Sequence, residues 1–187
     1  MRPRSYPQAE LPEELAVQVA ALEESAWPGS TFGHDPALAP RVLLLVDGAG
    51  RVGASAALLY KEVRCAGRSL RAAGLSAVVT DRRLRGQGLG GRLVTGAREA
   101  LAADPAVDAA LFSCDRPLVP FYEAAGFARL PGTVLVGGTP AEPLTTDAPG
   151  FAKEVVAAFF TPDPESDRTA LTGIRIPLYP GSVDRLW

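Results

Sequence analysis

The run Val78-Val79-Thr80-Asp81-Arg82-Arg83-Leu84-Arg85-Gly86-Gln87-Gly88-Leu89-Gly90-Gly91 constrains the fold more than any other feature of the chain. A β-branched strand runs out into an arginine-bearing glycine loop, and the loop opens a helix. At a helix N-terminus the first amides lack intrahelical acceptors and carry partial positive charge. Glycine at Gly86, Gly88 and Gly90 lets the backbone approach a pyrophosphate without a Cβ in the way. Arg82, Arg83, Arg85 and Arg92 add positive charge, and no acid lies between Arg82 and Arg92. Strand, loop, helix and charge agree on an anionic ligand. A bare glycine triplet is as readily a helix-capping turn with a solvated basic face, so the surroundings must decide.

Those surroundings exclude two common phosphate motifs. No Gly-Lys-Ser/Thr is present, as a P-loop needs, and no βαβ unit closes on the triplet as a dinucleotide fold requires. The preceding strands are instead joined by hairpins. Residues 42–46 and 52–63 read as strands separated by Asp47-Gly48-Ala49-Gly50, and a turn at Ala66-Gly67-Arg68-Ser69 leads to a third strand, 70–80. Gly74 within that strand is a candidate bulge. Upstream, a short proline-bearing start precedes a helix over 13–27, with apolar positions Leu15, Val19, Leu22 and Trp27, and then a loop or broken helix over 30–40. Downstream, the pattern predicts a helix over 89–103, a parallel strand over 109–114 and a helix over 119–125 closed by Gly126. Further strands are expected at 133–136 and 171–178, loops at 137–149 and 161–167, and a helix at 151–160. The fold class is α+β: a mixed central sheet with an antiparallel N-terminal meander and helices on both faces.

A chain of 187 residues, 47% apolar and 21% charged, suits a single globular domain over 1–187. A formal charge of -2 gives no reason to expect nucleic-acid or membrane binding. The first seven residues lack the apolar core of a signal peptide, and no apolar run is long enough to span a bilayer. Cys65 and Cys114 form neither a disulfide framework nor a metal spacing, and His34 is the one histidine. The expectation is a cytoplasmic protein without a metal.

Arg85-Gly86-Gln87-Gly88-Leu89-Gly90 matches the pattern Arg/Gln-x-x-Gly-x-Gly/Ala of the GNAT superfamily of N-acetyltransferases, and it follows a strand as it does there. Phe121-Tyr122-Glu123-Ala124-Ala125-Gly126-Phe127 resembles that family's second helix end. The resemblance covers about residues 11–138, leaving 139–187 as a C-terminal extension with a final strand and tail. It implies the GNAT acyl-CoA N-acyltransferase fold, with acetyl-CoA as donor. The amides of Arg85, Gly86, Gln87, Gly88, Leu89, Gly90 and Gly91 would hold the CoA pyrophosphate. The strand edge Val78, Val79 and Thr80 would bind the pantetheine arm. Splayed parallel strands would leave a gap for the acetyl group, where a bulge amide polarises the thioester carbonyl.

Direct attack by an amine needs a base, because amines are protonated at neutral pH, and an acid for the thiolate. Tyr122 stands where the family keeps that acid; packing on the CoA arm is the alternative role. The strand position that often holds Glu is Ser76, which can hold a water but cannot act as a base. Asp35, Glu62, Asp115 and His34 are possible substitutes. Cys114 invites an acyl-enzyme reading, against that of a small buried residue.

The meander and the ending Asp184-Arg185-Leu186-Trp187 also look like the aminoglycoside 2'-N-acetyltransferases. This makes Trp187 a candidate pocket residue, alongside Asp35 for an amine. Two departures weigh against that closer likeness: Ser76 at the base position, and Arg185 near the tail. The implied reaction is transfer of acetyl from acetyl-CoA to a primary amine of a small molecule, with an aminoglycoside one candidate. A peptide or protein amine, a larger acyl group, and a non-catalytic CoA-binding domain are the alternatives, and a homodimer is left open.

Overall fold

Strand β2 (Arg41–Val46) is apolar at every position after its first, because both faces of it are covered. Val42, Leu44 and Val46 point to one side and Leu43 and Leu45 to the other. The structure, a computed structural model, describes residues 1–29, 33–151 and 153–178. Strand β3 (Val52–Cys65) pairs antiparallel with β2 and, through a turn at Ala66 and Gly67, with β4 (Arg68–Thr80). The proline-bearing start is itself a strand, β1 (Arg2–Pro7), antiparallel to β2, so four strands rather than three form the meander.

Helix α1 (Glu13–Ala26) lies between β1 and β2 in the chain, and helix α2 (Leu89–Ala102) follows the glycine loop. Strand β5 (Ala109–Asp115) runs parallel to β4 but pairs with it only at Ala72↔Ala109 and Ala73↔Ala110. Beyond that point β4 stays with β3, while β5 is paired along its whole length, on its other edge, with β9 (Lys153–Phe159). The expected parallel neighbours therefore diverge towards their C-terminal ends. Helix α3 (Val119–Ala124) and β6 (Ala128–Arg129) follow, β6 pairing with β9 to complete a sheet ordered β1-β2-β3-β4-β5-β9-β6.

Three expectations for the C-terminal third are corrected. Residues 151–160, read as a helix, hold strand β9; its apolar run is buried on both faces, where periodicity cannot tell strand from helix. The loop expected at 161–167 contains the start of helix α4 (Pro164–Leu171), capped by the Asp163 side chain on the Ser166 amide. The strand expected over 171–178 shrinks to β10 (Arg175–Pro177), which joins β7 (Val134–Gly138) and β8 (Pro143–Thr145) in a second sheet ordered β10-β7-β8. Gly74 is not the bulge either: it pairs in register with Leu59.

Helices α2 and α3 cover one face of the main sheet, packing on Leu43, Leu45, Ala73, Leu75 and Phe112. On the opposite face α1 covers Val42, Leu44, Val46 and Val52, while the second sheet covers Leu59, Ala72, Leu111 and Val155. This is the mixed α+β architecture expected.

Candidate active site

Asp81 sets the entry to the glycine loop. Its carboxylate accepts from the Arg83 amide at 2.9 Å, capping a 3-10 turn at Arg82–Leu84, and pairs with the Arg83 guanidinium at 3.0 Å. That hydrogen-bonded arginine holds the Asp81 carboxyl below its usual range. Arg82 donates to the Ser25 carbonyl and Arg92 to that of Met1, so neither is a bare charge on the loop. Arg85 reaches back to the Thr80 carbonyl at 3.4 Å, beside the turn it precedes.

Gly86 and Gly88 have φ of +78° and +74°, a left-handed conformation that costs other residues about 1–2 kcal/mol. Gly88 is the N-cap of α2, and its side offers no polar atom to the first amides of the helix. A Cβ built at Gly86, Gly88 or Gly91 would meet nothing within 4 Å, so the backbone here borders open space. Gly90 serves packing instead: a Cβ there would stand 3.2 Å from Thr80 Oγ1 and 3.5 Å from the Phe121 ring. The result is an open turn of donors that an anion can reach, seated tightly on the end of β4.

The bulge in β4 lies where the two strands part. Ser55 pairs with Val79 and Ala57 with Ser76, so one extra residue falls at Ala77–Val78. Ala77 has φ of +48°, a conformation rare for a residue with a side chain. The extra residue also reverses the alternation: Leu75 and Val78 pack on the α2 and α3 face, whereas Ser76 and Val79 belong to rows facing α1. Across the gap, β5 offers Cys114 to the α2 and α3 face.

Tyr122 sits over that same face, 6% exposed, with Phe112 and Phe121 edge-on at 5.0 Å each. Burial, reinforced by Cys114 and Asp115 nearby, pushes its phenol far above the usual value, so it keeps its proton. Burial likewise pushes the Cys114 thiol up to about 11, which makes it a poor nucleophile at neutral pH and sets the acyl-enzyme reading aside.

The remaining candidates are scattered. Asp35 is exposed and spends one oxygen on the Ala37 amide at 2.9 Å. His34 is fixed by Gln8, whose side-chain oxygen accepts from the His34 amide at 3.0 Å. Glu62 pairs with Arg71 across the hairpin, five residues from Ser76 along β4 and roughly 17 Å away at strand spacing. Hydrogen bonds from Ser69 and Arg64 hold its carboxyl low. Asp115 is at the correct end of β5 but is paired with Lys153 at 2.7 Å. Trp187 lies outside the described residues.

Two residues that the sequence reading passed over belong in this neighbourhood. Glu23 is 8% exposed on the inward stripe of α1, one helical repeat beyond Leu15 and Val19. Ser55 is 1% exposed, and among the described residues its hydroxyl has no partner. Periodicity held a signal for Glu23, since Leu15, Val19 and Glu23 follow an i, i+4, i+8 spacing; nothing in the sequence distinguished Ser55.

Comparison with known proteins shows the family. A family model described as an acetyltransferase (GNAT) domain matches residues 2–130. The chain belongs to the GNAT family. As a GNAT domain it belongs to the acyl-CoA-dependent N-acyltransferases, which act on amine acceptors. No curated protein matches the sequence. Among solved structures, the GNAT family N-acetyltransferase YhbS of Escherichia coli, in complex with CoA, aligns with a TM-score of 0.61 at 19% identity, over 95% of this chain and 89% of its own. An acyl-CoA N-acyltransferase from Pseudomonas aeruginosa gives 0.59 at 16% identity, over 83% and 97%. ElaA of Escherichia coli gives 0.56 at 15%, also over 83% and 97%. At such identities the likeness concerns the GNAT fold alone. Among the described residues no group of metal-ligating side chains occurs, and no helix is long and apolar enough to cross a membrane.

Proposed function

We propose that this GNAT domain transfers the acetyl group of acetyl-CoA to a primary amine of a small molecule. The observation that carries the reading is the divergence of β4 and β5 beside an open, glycine-turned helix N-terminus. A thioester can lie in the gap while its pyrophosphate rests on the turn. The amides from Arg85 through Gly91 are the phosphate donors in this reading, and the CoA complex of the YhbS neighbour supports it. Val78, Val79 and Thr80 lie along the β4 edge that β5 leaves unpaired, where a pantetheine amide could add its hydrogen bonds. The bulge at Ala77–Val78 turns a backbone amide out of the ladder, towards the charge that develops on the thioester oxygen.

The proton inventory fits transfer without a covalent enzyme intermediate. The amine nitrogen attacks the thioester carbon, the C–S bond breaks, and Tyr122 gives its proton to the leaving sulfur. A phenol kept neutral by burial suits that task. Ser76, on the opposite face, can hold a water or the incoming amine but cannot deprotonate it. Asp35 and Trp187 remain proposed acceptor contacts. An aminoglycoside would need several carboxylates to match its charges, so a singly charged amine is the better fit.

The test is acetylation of an amine panel, comprising monoamines, polyamines, aminoglycosides and short peptides, with products read by mass spectrometry. Acetyl transfer to small amines from acetyl-CoA, and slower transfer from longer acyl-CoAs, is expected. Transfer only to peptides would replace the small-molecule reading, and preference for a longer acyl donor would replace acetyl.

A further inference from the structure

Helix α3 carries the proposed acid but is only 6 residues long, and among the described residues no side chain caps its start. So short a helix is marginal by itself, and its place is set by what packs on it and what holds its ends. Phe112, Phe121 and Phe127 stand edge-on to the Tyr122 ring, with centroids 5.0, 5.0 and 6.2 Å away. Those contacts press the ring on the sheet, but apolar packing is non-directional and does not fix how far along β5 the ring stands. From α2, the Arg98 guanidinium donates to the Gly126 carbonyl at 2.9 Å and holds the turn that follows α3.

The other ties converge on one side chain. Glu154, near the start of β9, is 8% exposed. One of its oxygens lies 3.0 Å from Arg116 Nε, and the other accepts from Arg129 Nε at 2.8 Å. Arg116 opens the 3-10 turn that leads into α3, and Arg129 ends β6, the strand to which α3 leads. A single buried carboxylate thus grips both flanks of the helix. Register puts it on the Tyr122 face: Glu154 pairs with Cys114 and Arg129 with Val156, and both Cys114 and Val156 belong to the α2 and α3 side. Along the sheet Glu154 is level with Cys114, roughly 13 Å beyond the last β4–β5 pair at strand spacing, where the two strands have parted.

Burying a carboxylate costs solvation that a valine there would not lose, and a buried ion pair adds little net stability over apolar side chains of the same shape. Val156 and Ala158, the next two inward positions of β9, are such apolar residues. What the two charge-assisted hydrogen bonds add is direction. We propose that Glu154 is a positioning residue for acyl transfer: by gripping Arg116 and Arg129 it clamps the α3 segment at both ends and fixes where the Tyr122 hydroxyl meets the leaving sulfur. This rests on the reading of Tyr122 as the acid.

Glu154→Gln keeps the shape but turns one acceptor oxygen into a donor facing an arginine, which opens one arm of the clamp. With an amine that the wild type acetylates, kcat should fall about tenfold, while acetyl-CoA Kd and amine KM stay within about twofold. A general loosening of the fold would cost the same factor whatever stands at position 122, whereas a misplaced acid costs nothing more once the acid is gone. In a Tyr122→Phe background, itself about 100-fold slower, Glu154→Gln should therefore cost no more than about twofold. Equal losses in the two backgrounds, or a Glu154→Gln kcat within about twofold of wild type, overturn the clamp. Arg116→Met, at a side chain 72% exposed, decides the matter if Glu154→Gln does not fold or no acceptor is found. Amide hydrogen exchange over 119–125 should then quicken about tenfold with exchange in α2 unchanged, and unaltered exchange overturns the proposal. A Tyr122→Phe protein with wild-type kcat would instead sink the acid reading, and a wild type that does not bind acetyl-CoA the acyl-CoA reading.

Discussion

Tyr122 and Ser76 were marked by motif and by strand position, and each lies at the divergence of β4 and β5, though on opposite faces of the sheet. The division is chemically sensible, since a protonated acid belongs with the leaving thiolate and a water-holding hydroxyl with the entering amine. Tyr122→Phe should lower kcat about 100-fold, leave acetyl-CoA affinity unchanged, and shift Tm by no more than about 2 °C. Stability should hold because the ring keeps its edge contacts with Phe112 and Phe121. Unchanged kcat in steady-state assays would make Tyr122 a packing residue. Glu23 shows how a buried position escapes a sequence reading. A glutamate on a helix is normally solvated, and only the burial of its stripe reveals that this one faces the sheet.

At the scale of elements, the strand–loop–helix run was legible because its signals are local: β-branched residues, then glycines at positive φ, then a helix start. The meander and the parallel step to β5 were legible for the same reason. What failed was non-local. Strand β9 is built from a short apolar run whose partners, β5 and β6, lie 38 or more and 24 or more residues upstream. Neither its period nor its length separated it from a helix. The start at residues 2–7 carries two prolines, which suit an edge strand whose outer amides need no ladder partner. Because β9 lies between β5 and β6 and pairs with the whole of β5, a chain ended after Gly150 should lose the whole fold rather than a terminal appendage. Circular dichroism should then show no cooperative thermal transition. A sharp transition near the full-length Tm would mean that the first 150 residues fold without β9.

At the scale of the whole molecule, one sheet carries packed elements on both faces and parts between β4 and β5. Helices α2 and α3 with the glycine turn border one side; α1 and the segment holding Asp35 border the other. The family was readable from two motifs on the first side. The glycine turn is the feature on which the proposed reaction depends, and at Gly88 a side chain would enter open space. The most direct measurement is thiol release from acetyl-CoA, with and without amine, by wild type and Gly88→Glu in parallel. The account predicts amine-dependent release by the wild type, and its loss in a folded Gly88→Glu protein that no longer binds acetyl-CoA. Release at the wild-type rate by Gly88→Glu, or acetyl-CoA binding by the wild type with no release for any amine, would contradict it.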